Sequence, residues 1–380
     1  SAGIQPLSRL SIEEKIGQMV AYACTGRFYS REDKEYLRLR SLVVEHKVGG
    51  LIIFGGEVFA TAFLTNHFQG LADIPLLFAS DLERGLGTQM DRTVLFPPFM
   101  ALGASRSEDL AFTMGRITAE EARAVGIHMT YAPVVDVNIN PDNPIINTRS
   151  LGEDPEQVGR LASAFIRGCQ DHGLLATAKH FPGHGDTALD SHSVLPAILA
   201  ARERLDQVEL MPFRMAGEEG VKAVMVSHLA VPALDPEQDL PATLSHPILT
   251  GILREQMGFQ GLIVTDSMRM GGLSAFSPEE AAVRAVHAGV DMLLIPPEPE
   301  KAIEALIKAV KTGIITNRRI DESVRKILLA KASLRLHKDP YVLPESLPSL
   351  IARSAHLDAA QRLMEESITL VQNRGMALPI

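Results

Sequence analysis

Residues 179–192 read KHFPGHGDTALDSH, placing Lys179, His180, His184, Asp186, Asp190 and His192 within fourteen positions. The chain has twelve histidines, and three of them fall here. Three uses suit these residue types: metal ligation, acid–base catalysis, or a polar turn. Zinc sites usually fix ligand pairs on a helix or a tight knuckle. Pro182, Gly183 and Gly185 make this segment a loop with no rigid pair, which weighs against a metal. The acid–base use needs fewer residues. Asp190 and His192 are two apart, so in a loop the carboxylate can fold back onto the imidazole. It would then fix the tautomer and leave the other ring nitrogen free to exchange a proton. A solvated Asp-x-His is the plainer alternative.

A second carboxylate, Asp266, ends the apolar run GLIVTD. A carboxylate held at the end of a buried strand can attack an electrophilic carbon or stabilise a positive one, as in glycoside hydrolysis with retention. It can equally cap the helix that follows.

The elements that position these groups are legible as apolar runs. Eight are read as strands: 18–26, 48–55, 75–81, 127–137, 174–181, 223–232, 261–268 and 289–297. Their apolar residues are consecutive, as expected of strands buried on both faces. Stretches 109–126, 154–173, 244–259 and 277–289 repeat apolar residues at threes and fours and are read as helices. Strands with helical crossovers predict an α/β fold, a closed (β/α)8 TIM-type barrel. Polar residues end most strands: Asp81, Asp136, Lys179 with His180, Ser227 with His228, and Asp266. In such barrels the C-terminal strand ends line one mouth, where chemistry sits.

The barrel is expected over 1–336. HKDPYVLPESLPSL (337–350) carries three prolines and reads as a linker, followed by a helix (351–368) and a strand-like ITLVQN. That segment is read as leading toward a second domain of α/β-sandwich type.

With 46% apolar residues, the 380-residue chain can bury a large core. Its net charge of −9, with no basic run, argues against nucleic acid or an anionic membrane as the main partner. No run is long enough to insert in a membrane. Cys24 and Cys169 give neither a disulfide framework nor a Cys-x-x-Cys spacing. This fits a reducing, cytoplasmic setting, or the cell envelope if a leader was removed. Trp is absent and aromatics make up 5%, so a small pocket is expected rather than a long polysaccharide cleft. Oligomeric state is not legible.

KHFPGHGDTALDSH resembles the K-H-[FI]-P-G-x-G-x4-D-x-H signature of family 3 glycoside hydrolases, in the β-N-acetylglucosaminidase branch. VGGLIIFG, ASDLERGLG, YAPVVDVN, NTRSLGEDP, VMVSHLAVPALD and AGVDMLLIP occur in the family's order, so the resemblance spans the chain. It implies Asp266 as nucleophile and His192 as acid/base with Asp190 as its partner. It also implies that Asp81, Arg149, Lys179 and His180 hold the sugar, and it places His228, at the Ser-His strand end, among the substrate-binding residues. It implies no cofactor and no metal, and a carbohydrate substrate. The implied activity is retaining, exo-acting removal of terminal N-acetylglucosamine from peptidoglycan fragments or chitin-type oligosaccharides. A β-glucosidase, a glycoside phosphorylase and a non-catalytic sugar-binding barrel are the alternatives. The branch's D-x-E-G-G-R is here DLERGLG, a departure at Arg84 and Leu86 that bears on leaving-group preference. Placing the donor on a glycine-rich loop implies that it swings in over bound sugar.

Overall fold

A computed structural model describes residues 7–187, 195–237 and 239–374. All eight expected strands form: β1 (Val20–Gly26), β2 (Gly50–Gly56), β3 (Leu77–Ser80), β4 (Met129–Thr130), β5 (Thr177–Phe181), β6 (Ala223–Val226), β7 (Leu262–Thr265) and β8 (Leu293–Leu294). Every pairing is parallel. One sheet runs β4-β3-β2-β1-β8 and the other β5-β6-β7. Parallel bridges Met129–Leu175 and Val134–Lys179 link them on one side, and Val264–Met292 links them on the other. The result is a curled parallel sheet of the α/β, TIM-like kind.

The consecutive apolar runs have the cause expected of them. Strands β3, β5, β6 and β7 are buried at every position, between the sheet interior and the surrounding helices. Local signals start those helices. Ser107 caps Glu108–Ala124, Asp154 caps Pro155–Asp171, and Ser277 caps Pro278–Ala288, each accepting a backbone N–H. Such caps contribute about 1 kcal/mol each. The run expected as a helix over 244–259 forms a π-helix, Pro247–Gln256.

After helix Asn317–Ser333, the proline-rich stretch packs back onto the α/β body. Val342 exchanges two 2.8 Å hydrogen bonds with the Asn66 amide. The buried Glu121 carboxylate accepts from the Val94 and Ala352 amides and pairs with the His356 ring. One side chain thus ties the loop after β3 to helix Ser354–Glu366. Beyond it, Ile368, Leu370 and Val371 are exposed and make no strand pairing.

Candidate active site

The C-terminal strand ends converge as the sequence pattern predicts. Asp81 follows β3, Asp136 lies beyond β4, Lys179 and His180 are in β5, and Asp266 follows β7. Asp81, Glu83, Ile145, Arg149, Lys179, His180, His184, Met225 and Asp266 line a small cavity of about 150 Å³. Asp81, Met225 and Asp266 also line a second cavity of about 370 Å³, with Phe54, Tyr131 and Arg269 among its walls.

Lys179 is buried, and its ammonium lies 2.8 Å from Asp81 Oδ1 and 2.7 Å from Glu83 Oε1. Arg149 grips Glu83 with two bonds, Nε to Oε2 at 3.0 Å and Nη2 to Oε1 at 2.8 Å. Four charged groups therefore form one network, and the local shifts follow from it. Burial alone would raise the Glu83 pKa, but Lys179 and Arg149 hold it well below the usual carboxylate range. Burial would lower Lys179, and Asp81 with Glu83 reverse the sign. Arg149 is likewise raised, burial being outweighed by Glu83, Asp136 and Asp81. The network keeps cations and carboxylates charged and presents hydrogen-bond donors and acceptors at fixed positions in the cavity.

His180 is oriented from behind. Asp136, almost fully buried, accepts from His180 Nδ1 at 2.7 Å and from the His180 and His184 amides at 3.2 and 2.6 Å. Burial opposes its charge, and His180, His184 and the His184 amide bring its pKa below the usual carboxylate range. His180 Nε2 is left 3.4 Å from Arg149 Nη2, facing the cavity. The Lys179–His180 and Phe181–Pro182 peptides are cis.

The start of the loop is clamped by a close backbone contact. A Cβ at Gly185 would sit 1.7 Å from the Val137 carbonyl oxygen, so only glycine allows this approach. His184 is consequently buried, with Nδ1 2.8 Å from Thr187 Oγ1 and its carbonyl accepting from Asn143 at 2.8 Å. Asp186 pairs with Arg204 at 2.8 Å. Both are thus held in place at the turn after β5. Asp190 and His192, the donor pair expected to swing in on the loop 182–192, lie outside the described residues.

Asp266 is partly exposed to the cavity. Its amide donates to the Val226 carbonyl and its Oδ1 accepts from the Ser267 amide at 2.7 Å. Burial would raise its pKa, but His180, His228, the Ser267 amide and Lys179 lower it overall. It is therefore an anion at neutral pH, and it lines both cavities. His228, expected at the site, is fully buried behind Asp266. Its Nδ1 lies 2.7 Å from Thr243 Oγ1 and its Nε2 3.0 Å from the Ser267 carbonyl.

Four lining or supporting residues escaped the sequence reading: Glu83, Tyr131, Asp136 as the holder of His180, and Arg269. Glu83 stood in the quoted DLERGLG, two residues past a strand-end aspartate, and that spacing was its available signal. Arg84 and Leu86, the departures from the usual run, do not line the cavity. Leu86 is in the core, and Arg84 Nε bonds the Phe96 carbonyl at 2.8 Å.

The profile of the glycosyl hydrolase family 3 N terminal domain matches residues 11–330. A β-N-acetylglucosaminidase/β-glucosidase of Cellulomonas fimi is 33% identical over 98% of this chain and 67% of its own length. β-Hexosaminidase A of Pseudoalteromonas piscicida is 33% identical over 90% of this chain and 62% of its own. The solved family 3 β-N-acetylglucosaminidase of Paenibacillus sp. str. FPU-7 has a TM-score of 0.90 at 39% identity, covering 96% of this chain and 70% of that one. The chain thus spans about two thirds of the length of these relatives.

Proposed function

The chain belongs to glycosyl hydrolase family 3, and we propose that it is a retaining, exo-acting β-N-acetylglucosaminidase. The observation that carries this is the ionised Asp266 carboxylate lining the same small cavity as the Arg149–Lys179–Glu83–Asp81 network. That network and His180 would hold the hydroxyls of one terminal sugar. Asp266 would attack the anomeric carbon, forming a glycosyl ester as the leaving oxygen takes a proton. Water, deprotonated by the same acid/base group, would then cleave the ester with net retention. Asp190 and His192 are proposed as that group, on the resemblance of their loop. His228 would support Asp266 from behind.

Relatives named β-N-acetylglucosaminidase and β-hexosaminidase support the choice of sugar. Peptidoglycan fragments or chitin-type oligosaccharides are the proposed natural substrates. We take the curled sheet as a closed (β/α)8 barrel over residues 1–336, and 337–380 as leading toward a second domain. The two free, buried cysteines support a reducing, cytoplasmic setting. Among the described residues, no helix is long and apolar enough to cross a membrane.

A second reading has its own support. A β-glucoside phosphorylase matches with a TM-score of 0.90 at 30% identity. Nitrophenyl N-acetyl-β-glucosaminide and β-glucoside, each assayed with and without phosphate, separate the two. Faster cleavage of the N-acetyl substrate, insensitive to chelator and needing no phosphate, is expected. A glucoside preference would replace the proposal with β-glucosidase, a phosphate requirement with phosphorolysis, and inertness on both with a sugar-binding barrel.

A further inference from the structure

A third cavity, of about 490 Å³, adjoins the second and shares Phe54 and Arg269 with it. Tyr22, Lys34, Glu35 and Arg38 form much of its remaining wall. The three cavities run in series along the mouth. The sugar-holding network shares the first with Asp266, Asp266 shares the second with Arg269, and Arg269 shares the third with Tyr22. A sugar gripped at Lys179 and Arg149 therefore directs its far side toward the chamber of Arg269.

That chamber carries surplus positive charge. Arg27 engages Glu35 at 2.9 Å, which offsets the one carboxylate on the wall. Arg38 reaches Glu300 only at 3.7 Å. Among the described residues, Lys34 and Arg269 have no carboxylate at ion-pair distance. Arg269 Nη2 donates to the Tyr22 hydroxyl at 2.5 Å. The guanidiniums of Arg269 and Arg38 lie 5.4 and 5.0 Å from the centroid of the same buried Tyr22 ring. Two like charges on one ring repel, and an anion placed between them would relieve that repulsion. A tyrosine platform also holds the arginine fork still, which favours planar recognition of a carboxylate.

We infer that this chamber receives a carboxylate carried by the leaving group, and that Arg269 is a specificity-determining residue. The inference rests on the glycosidase reading for its meaning, and its test is separable from that reading. A solvated basic rim that merely packs on Tyr22 is the competing account.

The probes are 4-(carboxymethyl)phenyl and 4-(carbamoylmethyl)phenyl N-acetyl-β-glucosaminide. Their methylene insulates the ring, so the two phenols leave with similar ease and differ in charge. The unsubstituted protein is expected to favour the carboxylate by about tenfold in kcat/KM, the size of a charge-assisted hydrogen bond at a partly exposed site. That ratio should shrink as salt rises. Arg269→Gln should bring it toward one, and Arg269→Glu should take it below one. Arg38→Gln should lower it by a smaller factor. The ratio is internal to each preparation, so partial misfolding of a variant cancels, and the salt series needs no variant. A ratio of one in the unsubstituted protein, or one unmoved by Arg269→Glu, overturns the inference. Should neither glycoside be cleaved, calorimetry on the corresponding thioglycosides decides. A retained carboxylate preference upholds the chamber while sinking the glycosidase reading, and equal binding of the two sinks the chamber.

Discussion

Asp136 shows what one buried side chain does for this site. Its carboxylate is almost fully buried and accepts from the His180 ring and from two amides, so the imidazole cannot turn without breaking several bonds. An amide in its place has one acceptor oxygen and a donor that faces other donors. Asp136→Asn should therefore lower kcat/KM by roughly 100-fold through misplacement of His180. The rise should fall mainly in KM for the terminal sugar, and circular dichroism should report a folded protein. An unchanged KM would show that His180 does not depend on this partner. Asp81, Arg149, Lys179 and His180 were readable as cavity residues because linear motifs carry them, and Asp136 as a strand-end carboxylate. The bonds of Glu83 to Arg149 and of Asp136 to His180 were not, because those partners lie 66 and 44 positions away in the chain and only folding brings them together.

At the scale of elements, the apolar runs foretold every strand, because burial on both faces leaves a continuous signature. They did not foretell length. β4 and β8 are two residues each, since Pro133 and the turn at Ile295, which has a positive φ, end the regular pairing early. The turn after β5 is where an element sets a pH response. Burial lowers the His184 pKa to about 4, with Asp136 opposing and His180 adding to the shift. Between the unfolded value near 6.5 and that folded value, the unfolded chain binds the proton and the native protein does not. Stability thus rises with pH through this window and is lost as pH falls from about 6.5 to about 4. The slope from this group is about 1.4 kcal/mol per pH unit. Urea unfolding at pH 7 and at pH 5 should show the loss, and His184→Asn should flatten it. An equal slope in the variant would assign the acid sensitivity elsewhere.

At the scale of the molecule, the strand ends collect the chemistry on one face while the C-terminal helix closes the outside of the body. Glu121 links the two, since the loop that begins with Asp81 and Glu83 is held at Val94 by the same carboxylate that docks residues 352–356. The structure packs the proline-rich stretch 337–350 onto Asn66, a contact its composition could not announce, because a linker's composition carries no record of the surface it packs on. The proposed mechanism has the Asp266 carboxylate, at the end of β7, supply the oxygen of a covalent glycosyl ester. A slow fluorosugar fluoride with the N-acetylglucosamine configuration should trap that intermediate. Intact mass should rise by one glycosyl unit, and peptide mapping should place the ester on Asp266. Trapping on another side chain, or continued turnover of the fluoride with no covalent species, would contradict it.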